Sequence, residues 1–559
     1  MRKSLLFSLF LMFSYGLVAQ TVIKGKVTDD TGEELPGVNV VVKGTSNGTV
    51  TDIFGDYSLE VNDPSATLVF SFVGFESQEV IIGSQSVINV ELVTDVVSLQ
   101  EVVVIGYGTT TEKELTAAVS TIKSEDITKL NPARIENVLQ GQISGVQITS
   151  GSGSPGGGQN IRIRGINSNG DNRPLIIVDG VRYGDDINTI DPNNIESITV
   201  LKDASAAIYG VLGANGVVIV TTKSGKSVFK PELSISGYYG IQETERKIDL
   251  LNATEYALLT NEAFAAGGQA PIFTDVASLR EGTDWQDEVF ESAPIQNYTL
   301  NYRGSTENTT YSAGASYFNQ EGIVGGSKSE FDRVNVNLNV GHQLYDKLKM
   351  RTNLNYIKVD RKTLPENVIG SVLFNAINIA PTETVFDADG NFTTADNLGI
   401  EIINPIAQIA NTFNDTETQR LTGLVGLTYE VIEGLEVESS LNFNYADVFT
   451  RSFQPEISYG VDKVFNAEVS SVSQSQQNFI SYNIDNIIRY NRTFNEVHDV
   501  NFTLGNSVYK TIGQSLFVSG REIPNNSFEF ADVRLATDFD DIIPGSSSFD
   551  TRQWSYFGW

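Results

Sequence analysis

The chain has 559 residues, with 69 Asp and Glu against 38 Lys and Arg, a formal charge of −31, no cysteine and two histidines. That excludes disulfide scaffolds, thiolate metal sites and cysteine nucleophiles, leaves His342 and His498 too isolated for a histidine metal site or triad, and opposes a broad nucleic-acid interface, which needs Lys and Arg against phosphate. Many Gly (49), Phe (30) and Tyr (21) and few Pro (15) suit an all-β protein with numerous turns.

Met1-Arg2-Lys3, a mostly apolar run from Ser4 to Val18, and Ala19 before Gln20 have the build of a cleavable signal peptide, residues 1–19. The run is short of the roughly 20 apolar residues that a spanning helix needs. No other run of 18 apolar residues follows, so the exported chain enters a membrane only as a closed β-barrel.

Residues 20–97 carry short strand signals: Val22–Val27, Val38–Val42, Ser58–Val61, Leu68–Val73, Glu79–Ile82 and Val87–Leu92. Their close spacing predicts a small β-sandwich, serving either as a spacer or as a docking module. Residues 98–112 follow as a linker. Within it Glu101-Val102-Val103-Val104-Ile105-Gly106-Tyr107-Gly108 is an apolar β-branched run ending in Gly-Tyr-Gly. It fits an ordinary strand, or an extended segment that adds to another sheet's edge.

Residues 113–226 read as a compact α+β unit. Pro132–Leu139 is a predicted helix with Asn131 at its N-cap. Gly151-Ser152-Gly153-Ser154-Pro155-Gly156 matches the spacing of a dinucleotide fingerprint. The fingerprint must open a helix, however, and here a strand follows, so a mobile glycine loop is expected. Arg162 and Arg164, two apart on that strand, are predicted to share a face and, as guanidiniums, to seek carboxylates; Gly165 ends the strand. Asp179-Gly180 is a predicted turn. Lys202-Asp203 leads to a predicted small-residue helix, Ala204–Tyr209. No nucleophile, histidine or metal partner accompanies Asp179, Glu196 or Asp203, so these acids are read as structural and no catalytic residue is assigned.

Residues 227–559 alternate apolar and polar side chains with period two, as in Val334-Asn335-Val336-Asn337-Leu338-Asn339-Val340. The spacing predicts strands at 232–243, 297–304, 309–318, 332–343, 347–359, 420–431, 434–446, 478–491 and 498–511, with a tenth from Trp554. Every second connection is short (305–308, 344–346, 432–433, 492–497), and the others are long (244–296, 319–331, 360–419, 447–477, 512–553). That parity and the strand lengths are those of an outer-membrane barrel. A barrel that holds a folded plug needs about 22 strands, so the sequence reads as a C-terminally truncated barrel.

The fold class expected is therefore mainly β: an N-terminal β-sandwich, a small α+β plug, then part of an antiparallel transmembrane β-barrel. The plug motifs Gly-Gln-Ile-Ser-Gly-Val-Gln-Ile (141–148), Ile-Arg-Ile-Arg-Gly-Ile (161–166), Pro-Leu-Ile-Ile-Val-Asp-Gly-Val (174–181), Leu-Lys-Asp-Ala-Ser-Ala-Ala-Ile-Tyr-Gly (201–210) and Ala-Asn-Gly-Val-Val-Ile-Val-Thr-Thr-Lys (214–223) resemble those of SusC/RagA-type TonB-linked outer-membrane proteins. Residues 20–97 resemble a carboxypeptidase-regulatory-like domain. The resemblance implies that residues 101–108 are the TonB box, pairing with TonB, which ExbB/ExbD energise. It implies import of an oligosaccharide or peptide across outer-membrane lipid, with a SusD-like surface lipoprotein as lid. It also implies that Arg162 and Arg164 anchor the plug to acidic residues of the barrel wall. Loop aromatics such as Trp285, Phe290 and Phe453 are candidates to stack on sugars, although scattered loop aromatics are more often structural, and no substrate-binding residue is assigned. No cofactor or metal is implied, nor any enzyme activity. A siderophore or vitamin receptor of the same barrel type, or a secreted adhesin of soluble β-sandwiches, are the alternative readings.

Overall fold

The computed structural model describes residues 21–93, 102–105, 108–111, 119–129, 134–184, 187–226, 228, 230–494 and 498–558, except positions 31, 46, 62, 64, 73, 74 and 76. The expected signal peptide lies outside the described residues. The chain divides into two compact units near residues 104–117.

The first unit is a β-sandwich. β1 (Thr21–Asp29), β4 (Asp56–Val61) and β7 (Val90–Leu92) form one sheet in the order β4-β1-β7; β2 (Asn39–Val42), β3 (Gly48–Val50), β5 (Thr67–Ser71) and β6 (Gln78–Ile81) form the other in the order β3-β2-β5-β6. Period-two alternation makes the core: Tyr57, Leu59 and Val61 point in from β4, Leu68 and Phe70 from β5, Val40 and Val42 from β2. β8 (Val102–Ile105) and β9 (Gly108–Thr111) are two short strands bonded to each other.

In the second unit the plug is built on a mixed five-stranded sheet. Its strands are β10 (Val119–Lys123), β13 (Leu175–Val178), β14 (Val181–Tyr183), β15 (Ile195–Leu201) and β16 (Val217–Thr222), in the order β10-β15-β16-β13-β14. β11 (Val146–Ser150) and β12 (Gln159–Ile163) form a separate hairpin. The predicted helix over 132–139 is confined to Ile135–Leu139, with Arg134 at its N-cap; Asn131 and Pro132 lie outside the described residues. The predicted helix Ala204–Tyr209 is instead a 3₁₀ path, Asp203–Gly213, broken where Gly210 takes φ 60, ψ −142.

The remaining ten strands make one antiparallel sheet in chain order. They are β17 (Glu232–Gln242), β18 (Ala293–Ser305), β19 (Thr309–Gly322), β20 (Gly326–Tyr345), β21 (Leu348–Lys362), β22 (Phe413–Ile432), β23 (Leu435–Gln454), β24 (Ser471–Phe494), β25 (His498–Arg521) and β26 (Asp538–Gly558). These ten strands form one continuous sheet, not the stacked sandwiches that the adhesin reading requires of them. Two expectations are corrected. The tenth strand begins at Asp538, not Trp554. The third connection is only residues 323–325, not 319–331, so strict short/long parity fails there. A register shift at Glu321/Gly322 and the positive φ of Gly325 (79°) and Gly326 (47°) allow that tight turn.

One face of this wall is apolar and exposed: Tyr298, Leu300 and Tyr302; Val334, Val336 and Leu338; Ile480, Tyr482 and Ile484. Exposed tyrosines on it include Tyr298, Tyr302, Tyr317, Tyr356, Tyr429, Tyr445 and Tyr482. The opposite face buries polar side chains: Asn297, Thr299 and Asn301; Arg333, Asn337 and Asn339; Ser440, Asn442 and Asn444. Among the described residues no helix is long and apolar enough to cross a membrane.

Candidate functional site

The polar face of the wall is the seat of the plug. The plug's core, including Ile135, Val138, Leu139, Ile163, Ile198 and Val200, is continuous with Phe318, Phe331, Ile357 and Val359 of the wall. Around that apolar centre the wall donates and the plug backbone accepts. Arg333, only 1 % exposed, donates from Nη1 to the carbonyls of Asn188 (2.5 Å) and Ile190 (3.2 Å), and its guanidinium lies 5.1 Å from the Phe318 ring centre. Asn335 Nδ2 donates to Thr189 O (2.8 Å), Asn339 Nδ2 to Lys223 O (3.0 Å) and Asn444 Nδ2 to Arg182 O (3.3 Å). Thr299 Oγ1 donates to Asp191 Oδ2 (3.0 Å). The physical cause is that residues 187–191 form a short 3₁₀ turn and loop with no sheet partner, so their buried carbonyls need donors from elsewhere.

The charge arrangement at this seat corrects the expected anchoring by Arg162 and Arg164. Arg164 is ion-paired to Asp203, within the plug. It also leaves the strand: β12 ends at Ile163 and Arg164 takes φ 58, so it does not share a strand face with Arg162. Arg162 pairs across the hairpin with Gln147, and its charge adds to that of Arg173, the main cause, in lowering the pKa of Asp171, again of the plug. The charged contacts to the wall run the other way. Arg303 of β18 lies 3.8 Å from Glu196 of the plug, and Arg333 holds plug carbonyls. A plug arginine that does reach the wall is Arg182, which donates to Gln553 Oε1 (2.9 Å) and lies 4.4 Å from the Tyr509 ring centre.

The other plug residues singled out in the sequence are placed as follows. Lys202 is buried, and its Nζ donates to Ser144 O (2.6 Å) and Ser120 Oγ (3.0 Å). Burial, with the nearby Arg164 charge, lowers its pKa. Its neighbour Asp203 takes φ 57. Asp179, at φ 50, accepts from Thr222 N (2.8 Å) and Thr222 Oγ1 (2.7 Å). Burial pushes its carboxyl pKa up, against those two bonds. Gly165 (φ 93) and Gly180 (φ 89) supply the left-handed turns that follow. A Cβ on Gly180 would sit 3.3 Å from Leu424 of the wall.

The glycine loop expected to be mobile is gripped from several sides. Arg134 donates to Ser154 O (2.8 Å) and Gly157 O (2.9 Å), Asn188 Nδ2 to Gly156 O (3.1 Å), and Asn367 Nδ2 to Gly151 O (2.6 Å). The hydroxyls of Ser152 and Ser154 both donate to Glu366 Oε2. A Cβ at Gly156 would fall 2.0 Å from the Phe331 ring. Glycine here serves close packing against the wall.

Within the expected TonB box, Val102–Ile105 is strand β8 and Gly108 opens β9; Glu101, Gly106 and Tyr107 lie outside the described residues. The loop aromatics are not poised to stack on sugars. Trp285 is 3 % exposed and donates to Ala380 O (3.0 Å). Phe290 is half-buried in a bridge to Val324. Phe453 belongs to β23 and is packed between Phe413 and Phe528. Among the described residues no cluster of His, Asp and Glu is arranged to hold a metal. Arg333, Arg182, Glu366 and the asparagine row were missed as functional residues. The signal for Arg333 was present: a lone cation in the polar half of the alternation Arg333-Val334-Asn335-Val336-Asn337.

Residues 111–217 match the TonB-dependent Receptor Plug Domain family and residues 23–104 the CarboxypepD_reg-like domain. The chain is 36% identical over 520 residues to TonB-dependent receptor P26 of Formosa agariphila, covering 91% of this chain and 51% of that protein. It is 36% identical over 378 residues to SusC of Bacteroides thetaiotaomicron, covering 66% of this chain and 36% of SusC. Among solved structures, the RagAB peptide importer in its open-open state superposes with a TM-score of 0.72 at 22% identity, over 82% of this chain and 54% of that one, a likeness of fold. The chain spans about half the length of the Formosa relatives it matches. Sandwich, plug and a meander wall that holds the plug by its polar face, together with these likenesses, place the chain in the family of TonB-dependent receptors of the SusC/RagA type.

Proposed function

We propose that the chain serves TonB-dependent import across the outer membrane, its plug gating a barrel of which these ten strands are part. The observation that carries the reading is the wall itself: one face apolar and set with exposed tyrosines, the other polar and occupied by the plug. An apolar exposed face suits lipid, and a polar inner face suits a filled lumen. Residues 101–108 act as the TonB box, adding a strand to TonB, with ExbB/ExbD as the energy source. The cargo is an oligosaccharide or peptide, captured with a SusD-like lipoprotein; likeness to SusC and to the RagAB peptide importer supports that class. The siderophore or vitamin reading draws on relatives such as a vitamin B12 transporter of Vibrio vulnificus, which matches only 28% of this chain. The longer matches to SusC and to the Formosa receptors favour the first reading.

The test has two arms. In cell fractionation, the protein should stay with outer-membrane vesicles through a carbonate wash and need detergent for extraction; release by the wash rejects membrane insertion. In a full-length receptor carrying this segment, deleting Glu101–Gly108 should abolish uptake while surface binding of cargo persists; continued uptake rejects the energy coupling.

A further inference from the structure

The glycine loop of the plug is held by the plug itself, by the wall and by the loop 363–412. The third contact comes from two adjacent residues. Glu366 accepts the hydroxyls of both Ser152 and Ser154 on one oxygen, and Asn367 donates to Gly151 O at 2.6 Å. Three residues further on the same segment is fixed to the loop assembly. Gly370 O accepts from Gln408 Nε2 (2.6 Å) and Asn375 Nδ2 (3.2 Å), and a Cβ on Gly370 would lie 2.0 Å from Phe465.

Phe465 belongs to residues 455–470, whose Lys463 is 4 % exposed and donates to the carbonyls of Gly399 (3.0 Å) and Leu398 (3.4 Å). Trp285, from residues 243–292, donates to Ala380 O (3.0 Å). Three long connections are thereby bonded into one assembly that reaches the plug through Glu366 and Asn367. Between that joint and Gly370 lie Val368 and Ile369, 58% and 70% exposed.

We propose that Glu366, supported by Asn367, is a positioning residue that couples the loop assembly to the plug's glycine loop, so that displacement of the loops is passed to residues 151–157. The carboxylate suits the task because one anionic oxygen takes two hydroxyl donors without a competing backbone ladder. The coupling rests on the import reading for its purpose but not for its test, which uses no cargo.

The measurement is amide hydrogen exchange at residues 151–157 in the full chain in detergent micelles. Glu366→Ala should speed exchange there about tenfold, and Glu366→Gln, which keeps an acceptor oxygen in place, should stay within about twofold of wild type. Lys463→Met, made in the loop assembly away from the plug, should speed exchange at 151–157 severalfold in the wild-type background and add nothing in the Glu366→Ala background. Unchanged exchange in Glu366→Ala overturns the proposal. So does a Lys463→Met effect that persists undiminished without Glu366, since the loops would then act on the plug by another route. Coupled exchange in a chain that washes off membranes would leave the joint standing and remove the import reading.

Discussion

Arg333 and Asn188 are 145 positions apart in sequence, and the guanidinium Nη1 of the first meets the carbonyl oxygen of the second at 2.5 Å. The same asparagine donates from its side chain to Gly156 O, so one residue ties the wall to the plug's turn and the turn to its glycine loop. Replacing Arg333 with Met keeps an apolar stem against Phe318 but leaves the carbonyls of Asn188 and Ile190 without this donor. A charged hydrogen bond contributes about 1.5–3 kcal/mol, and the expected loss is about 3 kcal/mol at the plug–wall contact. Limited proteolysis should show the plug cut at lower denaturant than in wild type. Equal protection in both proteins would show that Arg333 is not the latch.

Gly156→Ala tests the close packing of the glycine loop. The added methyl meets Phe331 at 2.0 Å on a residue whose φ is +62°, so both overpacking and left-handed strain oppose it. The expected cost is about 1–3 kcal/mol in thermal unfolding. Pairing it with Phe331→Leu should recover part of that loss, because the ring is the obstruction. Recovery of none would assign the whole cost to the backbone.

The Asp179 carboxyl gives the plug a pH dependence. Burial raises its pKa above the unfolded value, near 3.9. A group raised on folding adds stability that is complete below the unfolded value and is lost as pH rises through the folded one. Wild-type plug stability should therefore fall relative to Asp179→Asn as pH rises from about 4 toward neutrality. Melting curves of the two proteins across that window check it. A constant difference between them at every pH would sink the assignment.

The ion pair between Arg164 and Asp203 should matter little by itself. Both side chains are about half exposed, at 51% and 47%, and such pairs contribute roughly 0–1 kcal/mol. Both residues also occupy left-handed backbone, at φ 58 and 57, which costs a non-glycine residue about 1–2 kcal/mol. Arg164→Gly is expected to be neutral or slightly stabilising in chemical denaturation, and Asp203→Asn close to neutral. A loss above about 2 kcal/mol in either would show a buried role that exposure does not suggest.

The wall was readable wherever exposed apolar side chains alternate with plug-facing ones. Val334–Val340 announces its strand, and β17 was placed to within a residue. The extensions were not readable. In Ser471–Asn478 and Asp538–Gln553 both faces are largely polar, and in Ile512–Arg521 Leu516, Phe517 and Val518 fall in a row, so the hydrophobic period vanishes while the backbone ladder continues. Hydrogen bonds between neighbours need no apolar side chain, and for the same reason the tenth strand was set sixteen residues late. The three-residue third connection escaped because its bulge and positive-φ glycines resemble any polar loop.

Local side-chain patterns were enough to fix the order of sandwich, linker, plug and meander, because period and turn chemistry are properties of neighbouring residues. Which guanidinium serves which carbonyl was decided by contacts between segments far apart in the chain. Arg162 and Arg164 looked like the anchors because they are paired in sequence. Arg333 is the anchor because the fold buries it against a turn whose carbonyls have no other strand to bond. Glu366 carried no signal among its loop neighbours until two serines from more than 200 positions earlier came to lie beside it.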